Sequence, residues 1–189
     1  MKKEIITLKN GHTIEGTAFD DYDFIKLQGL FKIWQQLNTM VKELGGRNQN
    51  IPDVLSEGLF AYFFDAVRTN NSPGAGSYDC VLRKTGEGIQ VKSASVPQDL
   101  SSFGPVSAWD VLYFADFAPN DKVDGNVYFY KIDSDEIPDL VLNQRTGETF
   151  ADQQHAGRRP RFSIKKTLII PRQLQPEKKV NLLTGAVSE

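Results

Sequence analysis

The side chains best suited to chemistry lie on two short apolar segments that are predicted to pair as a hairpin. Asp79 lies in the first segment, residues 77–82, and Gln90 and Lys92 lie in the second, residues 89–93. Side chains two residues apart on a strand leave the same face, so Gln90 and Lys92 point together and Asp79 reaches them across the hairpin. A carboxylate, an amide oxygen and an ammonium at one point could hold a divalent cation and a water beside a phosphodiester. The same residues also fit a solvated hairpin with one salt bridge.

A long amphipathic helix is predicted near the start of the chain. Asp20 or Asp21 caps its first turn, and apolar residues recur at spacings of three and four between 24 and 41. We interpret this helix as core packing or as a subunit interface, because its aromatic residues would be a liability on the surface of a monomer. Residues 1–19 are predicted to form a hairpin around an Asn-Gly turn.

A second helix is predicted from Asp53 or Ser56 to about Arg68, and it carries Glu57 in its first turn. There a carboxylate complements the helix dipole, which would make Glu57 an ordinary surface acid. Glu57 also lies at the edge of the buried stripe, from which it could join the site on the hairpin. A polar loop, residues 68–76, is predicted to connect this helix to the hairpin.

The remainder of the chain contains strongly apolar segments. Residues 109–117 and 127–132 are predicted to be buried strands, and residues 163–170 a further strand. Residues 171–189 are expected to be a loosely ordered tail. The order of helices, hairpin and strands predicts an α/β fold with a central mixed β-sheet flanked by helices, in a single domain spanning residues 1–189.

Composition narrows the class of protein. The 189 residues are 40% hydrophobic and 24% charged, which is typical of a globular domain. The sequence contains no apolar run of membrane-spanning length and no export signal, so we expect a soluble intracellular protein. Its single cysteine, Cys80, excludes an internal disulfide and a thiolate zinc site.

Charge is distributed unevenly along the chain. The net charge is −2, yet residues 143–179 contain nine basic and three acidic residues. A local basic block on an acidic protein suggests a polyanion partner at one surface. A solvated tail would explain the same block.

The order of these features resembles the PD-(D/E)XK nuclease superfamily, with Gln90 in the position usually held by Asp or Glu and Tyr78 in the place of a proline. In more detail, the chain resembles the small type II restriction endonucleases that cut the interrupted palindrome GCNGC. The stretches that carry this resemblance are residues 55–58, 68–71, 90–96, 100–105, 109–114 and 157–163.

The resemblance implies a site in which Asp79, Glu57 and Gln90 hold Mg²⁺ and Lys92 assists the attacking water or the phosphate. The amide oxygen of Gln90 is a weaker ligand for the cation than a carboxylate, so Glu57 has to approach the site to compensate.

The resemblance also implies that double-stranded DNA is the substrate and that basic residues contact it. The basic residues assigned to this contact are Arg158, Arg159, Arg161 and Lys165. Guanidinium groups suit phosphates and guanine edges, although these arginines could instead pair with Asp152 and other acids within the protein. A palindromic target implies a homodimer with one active site per strand. The resemblance further implies a cytoplasmic location in a prokaryotic cell and a cognate DNA methyltransferase as functional partner.

Two other functions share this core. One is a structure-specific nuclease of DNA repair or recombination. The other is a DNA-binding protein that keeps the fold without the chemistry, which the absence of a charge on Gln90 makes conceivable.

Overall fold

A mixed β-sheet runs through the computed structural model, which describes residues 1–70, 76–96, 98 and 100–188. The strands in this part of the chain are β1 (Lys2–Thr7), β2 (Thr13–Ala18), β3 (Ala66–Arg68), β4 (Cys80–Leu82), β5 (Gly88–Ala94), β6 (Ser101–Ser102), β7 (Val111–Asp116), β8 (Asn126–Ile132), β9 (Val141–Asn143), β10 (Glu148–Thr149), β11 (Arg161–Phe162), β12 (Lys178–Asn181) and β13 (Val187–Ser188). The helices are α1 (Asp21–Glu43), α2 (Asp53–Phe63), α3 (Phe150–His155) and α4 (Ile170–Arg172).

Nine of these strands form one sheet in the order β1-β2-β3-β4-β5-β7-β8-β12-β13. The central pair β5–β7 is parallel, and the other pairs of this sheet are antiparallel. Together with the helices, this arrangement confirms the predicted α/β fold with a central mixed sheet. Among the described residues, no helix combines the length and apolarity needed to cross a membrane.

The predicted N-terminal hairpin and long helix are both confirmed. β1 and β2 pair antiparallel, with Ile6 opposite Ile14. The side chain of Asp20 accepts a hydrogen bond of 2.9 Å from the backbone N–H of Asp23 and so caps α1. One face of α1 buries Leu27, Phe31 and Trp34 in the main core.

The second helix is shorter than predicted. It ends at Phe63, and a left-handed residue, Asp65 (φ 49°), turns the chain into β3. The prediction that the helix continues to about Arg68 is therefore wrong. Val67 pairs with Val81 of β4, and both β-branched side chains are fully buried, as is typical of strand residues.

The predicted hairpin of Asp79 and Lys92 is present as β4 and β5, with Cys80 opposite Ile89. Apolar side chains alternate across the sheet, as Tyr113 and Ala115 join one core cluster while Leu112 and Phe114 join the other. Most of the predicted loop before the hairpin, residues 71–75, lies outside the described part of the chain.

Two predictions near the end of the chain are wrong. The predicted strand 163–170 is a π-helical segment, Lys165–Ile169, which turns the Lys165 ammonium toward buried Asp116 and packs Leu168 into the core. The expected loose tail instead forms β12, which pairs with β8 and buries Val180.

Candidate active site

A polar cleft of about 480 Å³ opens where α2, β5 and the segment around β6 meet. Its lining includes Glu57, Asp79 and Lys92, together with Arg159 from the basic block. The fold therefore brings three of the four predicted catalytic residues to one place. The fourth, Gln90, is buried beside Asp79 and does not line the cleft.

Asp79 lies directly before β4 and reaches over the backbone of β5. Its Oδ2 atom accepts a hydrogen bond of 2.7 Å from the backbone N–H of Val91 and another from the side-chain amide of Gln90. Within the described part of the chain, Oδ1 makes no hydrogen bond, which leaves this oxygen to the cleft. Burial raises the pKa of Asp79 to about 6, against the opposing effect of the Val91 N–H.

Gln90 makes its contact with Asp79 through the amide nitrogen. In this orientation its role is to fix the Asp79 carboxylate, because the group that faces Asp79 is a donor and not a cation ligand. The carboxylates of Asp79 and Glu57, together with that of Asp53 at the start of α2, are thus the negatively charged groups that line this site.

Glu57 turns inward from α2, and its side chain is only 12% exposed. Its Oε2 atom accepts a hydrogen bond of 2.5 Å from Nε of Arg68, and Nη1 of the same guanidinium donates to Oδ1 of Asn70 at 2.6 Å. Burial, followed by the negative charge of Asp79, raises the pKa of Glu57 to about 7, and Arg68 opposes this shift. Glu57 is therefore a buried neighbour of Asp79 and not a solvated surface acid.

Lys92 approaches the same cleft from β5. Burial lowers the pKa of its ammonium, while the nearby charge of Asp79 opposes that effect. Its Nζ atom lies 5.3 Å from the centre of the Phe103 ring, on which the cation rests. The ammonium is thus held in a partly desolvated position between an aromatic wall and a carboxylate.

The donor set suits a hard divalent cation held with few protein ligands. Asp79 Oδ1 and Glu57 Oε1 make no hydrogen bond within the described residues, and both side chains line the cleft. Among the described residues, no group of three or more His, Cys, Asp or Glu side chains is arranged to hold a metal ion. Two carboxylates match Mg²⁺, which keeps several of its waters and binds through one or two carboxylates plus substrate phosphates.

The four basic residues predicted to contact DNA have different environments. Arg159 lines the cleft, where its Nε donates to Oγ of Ser102 at 3.4 Å, and Arg161 is exposed on β11. Arg158 forms an ion pair with Glu148 on the surface. Arg158 is therefore the arginine that pairs with an acid within the protein, which was the alternative to DNA contact. Its partner is Glu148 and not Asp152.

Lys165 does not belong to a DNA-binding surface. Its Nζ atom lies 2.9 Å from Oδ2 of Asp116 and donates to the carbonyl of Ala118 at 2.8 Å. Both side chains are nearly inaccessible to solvent, because the π-helical turn directs Lys165 inward. Its assignment as a DNA contact is therefore corrected to a structural ion pair.

Arg68 contacts Glu57, and the sequence alone did not indicate that it belongs to the site. It lies 11 residues after Glu57, and the predicted helix would have placed the two on one continuous element. Only the reversal of the chain between α2 and β3 brings the guanidinium back to the carboxylate. No local pattern in the sequence indicates this contact, because it depends on the reversal of the chain at Asp65.

Comparisons with known proteins show the family to which the chain belongs. A family model described as Bsp6I restriction endonuclease matches residues 19–171, a span that contains the whole cleft. The type II restriction enzyme Bsp6I of Bacillus sp. (strain RFL6) is 32% identical over 177 residues, covering 88% of this chain and 97% of that protein. No solved structure matches the chain. The chain therefore belongs to the Bsp6I restriction endonuclease family and is a type II restriction endonuclease, a site-specific deoxyribonuclease.

Proposed function

We propose that this enzyme hydrolyses double-stranded DNA at GCNGC in a Mg²⁺-dependent reaction centred on Asp79, Glu57 and Lys92. The observation that carries the chemistry is the convergence of these three side chains in one polar cleft. The choice of GCNGC rests on the stretches of sequence that resemble enzymes of that specificity.

Asp79 and Glu57 would hold the cation through the oxygens that face the cleft, with Gln90 and Arg68 fixing the two carboxylates. When bound, Mg²⁺ supplies a Lewis acid that polarises the phosphate and lowers the pKa of a bound water. Arg68 neutralises part of the charge that two neighbouring carboxylates would otherwise concentrate in a buried place.

Lys92 donates to a phosphate oxygen or to the attacking water. Negative charge grows on the phosphate as the pentacovalent state forms, and a preorganised ammonium stabilises that state more than the substrate. Its partly buried position strengthens this interaction, because less water screens it.

Arg159 and Arg161 are the basic residues that we propose to contact DNA. Arg159 is already in the cleft and suits the phosphates beside the scissile bond. Arg161 is exposed on the adjoining strand. The enzyme would work in the prokaryotic cytoplasm as a homodimer, one active site per strand, with a cognate methyltransferase protecting the host sites.

Cleavage of a plasmid with mapped GCNGC sites tests this function. With Mg²⁺ the purified enzyme should give discrete fragments that end within those sites, and with EDTA it should give none. A smear, cutting confined to DNA junctions, or binding without cutting would contradict the proposal.

Lys92→Ala should reduce cleavage by at least 100-fold while DNA binding, measured by mobility shift in Ca²⁺, stays largely intact. Lys166→Ala, which removes an exposed lysine outside the cleft, is the matched control and should cut normally. Undiminished cutting by the Lys92 variant would refute its assignment.

A further inference from the structure

Helix α1 has a second apolar surface on the side away from the core. Its large apolar side chains expose between 47% and 87% of their surface, and they are Tyr22, Ile25, Ile33, Leu37, Met40 and Leu44. We call this set the α1 stripe. A surface helix normally has one apolar face, so a second one along the full length of α1 requires another partner.

Five members of the α1 stripe lie on a helix face whose spacing is symmetric about Ile33, and Ile25 lies at the edge of that face. Positions 22, 26, 29, 33, 37, 40 and 44 lie on one face of the helix, and their intervals are the same when read in either direction. In an antiparallel pair of identical helices, Ile33 would face its own copy and Tyr22 would face Leu44. Such a face is self-complementary, as a two-fold interface must be.

Lys26 is the charged member of this face, and its ammonium is held to one side. Its Nζ atom forms an ion pair of 3.0 Å with Asp23 and lies 4.2 Å from the centre of the Tyr22 ring. The aliphatic part of the side chain is then left to face Met40 of a second copy.

Gly29 lies on the symmetric face between Tyr22 and Ile33, and no contact within the described chain calls for a glycine there. A Cβ atom at this position would meet nothing within 4 Å, and glycine weakens a helix interior relative to alanine. In the antiparallel pair, Gly29 faces Leu37 of the other copy. A missing side chain opposite a large one allows the two helix backbones to approach closely.

The size and position of the α1 stripe also suit a second copy. Its six large apolar side chains, each 47% or more exposed, extend from Tyr22 to Leu44 and form a long surface of the kind that protein interfaces cover. Asn38 and Thr39, on other faces of α1, line a depression that shares Ser95 with the cleft. Pairing through the α1 stripe therefore leaves the cleft open to DNA.

We propose that the α1 stripe is the interface of an antiparallel homodimer whose two-fold axis passes beside Ile33. This inference rests on the proposed function to the extent that cutting both strands of a palindrome requires two copies. The two active sites that a palindrome requires would then belong to two identical chains that pair along helix α1.

Cysteine cross-linking tests the axis directly. Ile33→Cys should form a disulfide-linked dimer under mild oxidation, because each new thiol faces its own copy. Val106→Cys, at a residue that is 91% exposed elsewhere, should remain monomeric on a denaturing gel, and the native Cys80 is buried. Equal cross-linking of the two variants, or none at position 33, would overturn the proposed axis.

Sedimentation equilibrium tests the interface itself. The unaltered chain should be a dimer, Ile33→Asp should raise its dissociation constant by at least 100-fold, and Val106→Asp should not change it. Gly29→Leu should keep or raise the helix content by circular dichroism while weakening the dimer at least 10-fold. A monomeric wild type, or a dimer indifferent to Ile33→Asp and Gly29→Leu, would overturn the interface.

The cleavage assay separates the two proposals. A wild-type monomer that cuts GCNGC would overturn the α1 interface and keep the proposed function. A dimer that dissociates on Ile33→Asp yet never cuts DNA would keep the interface and overturn the function.

Discussion

Neutralising Glu57 should remove most of the pH dependence of the metal-free enzyme's stability above pH 6. Burial and the charge of Asp79 raise the pKa of Glu57 to about 7, compared with 4.5 in an unfolded chain. Between these two values the folded protein binds a proton that the unfolded chain has released, so the free energy of unfolding falls as the pH rises. The stability that the protonated form provides is complete below pH 4.5 and lost as the pH passes 7.

The size of this effect follows from the shift. At about 1.4 kcal/mol per pKa unit, Glu57 lowers the free energy of unfolding by about 3 kcal/mol at pH 8 relative to pH 4. The pKa of Asp79, raised from 3.8 to about 6, adds a similar loss that is nearly complete by pH 7. Asp23, whose pKa is lowered to about 2, is ionised in both states above pH 5 and does not contribute there.

Urea unfolding in EDTA, at half-unit steps from pH 5 to pH 8, measures this dependence. Glu57→Gln mimics the protonated acid, so its free energy of unfolding should exceed that of the wild type by less than about 1 kcal/mol at pH 5 and by about 3 kcal/mol at pH 8. Glu43→Gln, at an exposed position, is the matched control and should follow the wild-type curve. A Glu57→Gln variant with the wild-type slope would refute the assignment of a buried, proton-binding carboxylate.

Two further substitutions test the structural assignments around the site. Lys165→Met should lower the free energy of unfolding by about 3–5 kcal/mol, because it leaves Asp116 buried without its cation. The control Lys166→Met, at an exposed lysine, should change the free energy of unfolding by less than about 0.5 kcal/mol. Equal effects in thermal unfolding would contradict the buried pair. Gly88→Ala should lower stability by about 1–3 kcal/mol, because the added methyl overlaps the ring of Tyr78, and an unchanged urea midpoint would show that the ring moves aside freely.

Local sequence patterns predicted the parts of the fold that depend on neighbouring residues. The alternation on β5 and the turn before it placed Asp79 beside Gln90 and Lys92, since a hairpin closes over a few residues. Glu57 was predicted to join them as the compensating carboxylate, and it lines the same cleft.

Local sequence patterns did not predict contacts between residues that are far apart in the sequence. The apolar, β-branched run at 163–170 is typical of a strand, but the ion pair between Lys165 and Asp116 favours a helical turn. In the same way, Arg68 reaches Glu57 because β3 pairs with β4, where Val67 and Val81 are 14 residues apart in a sheet that the local sequence does not specify. Tertiary partners overrode local propensity at both places.

Strand β12 ties the end of the chain to the helices that carry the site. Val180 and Leu182 belong to the same core cluster as Leu55 and Leu59 of α2, and Lys178 donates to the carbonyl of Phe63 at the end of that helix. Helix α2 therefore cannot complete its packing until residues 178–182 have joined the sheet. A chain that lacks these residues would lose contacts that hold α2, and with it Glu57, in place, so we expect such a fragment not to cut DNA.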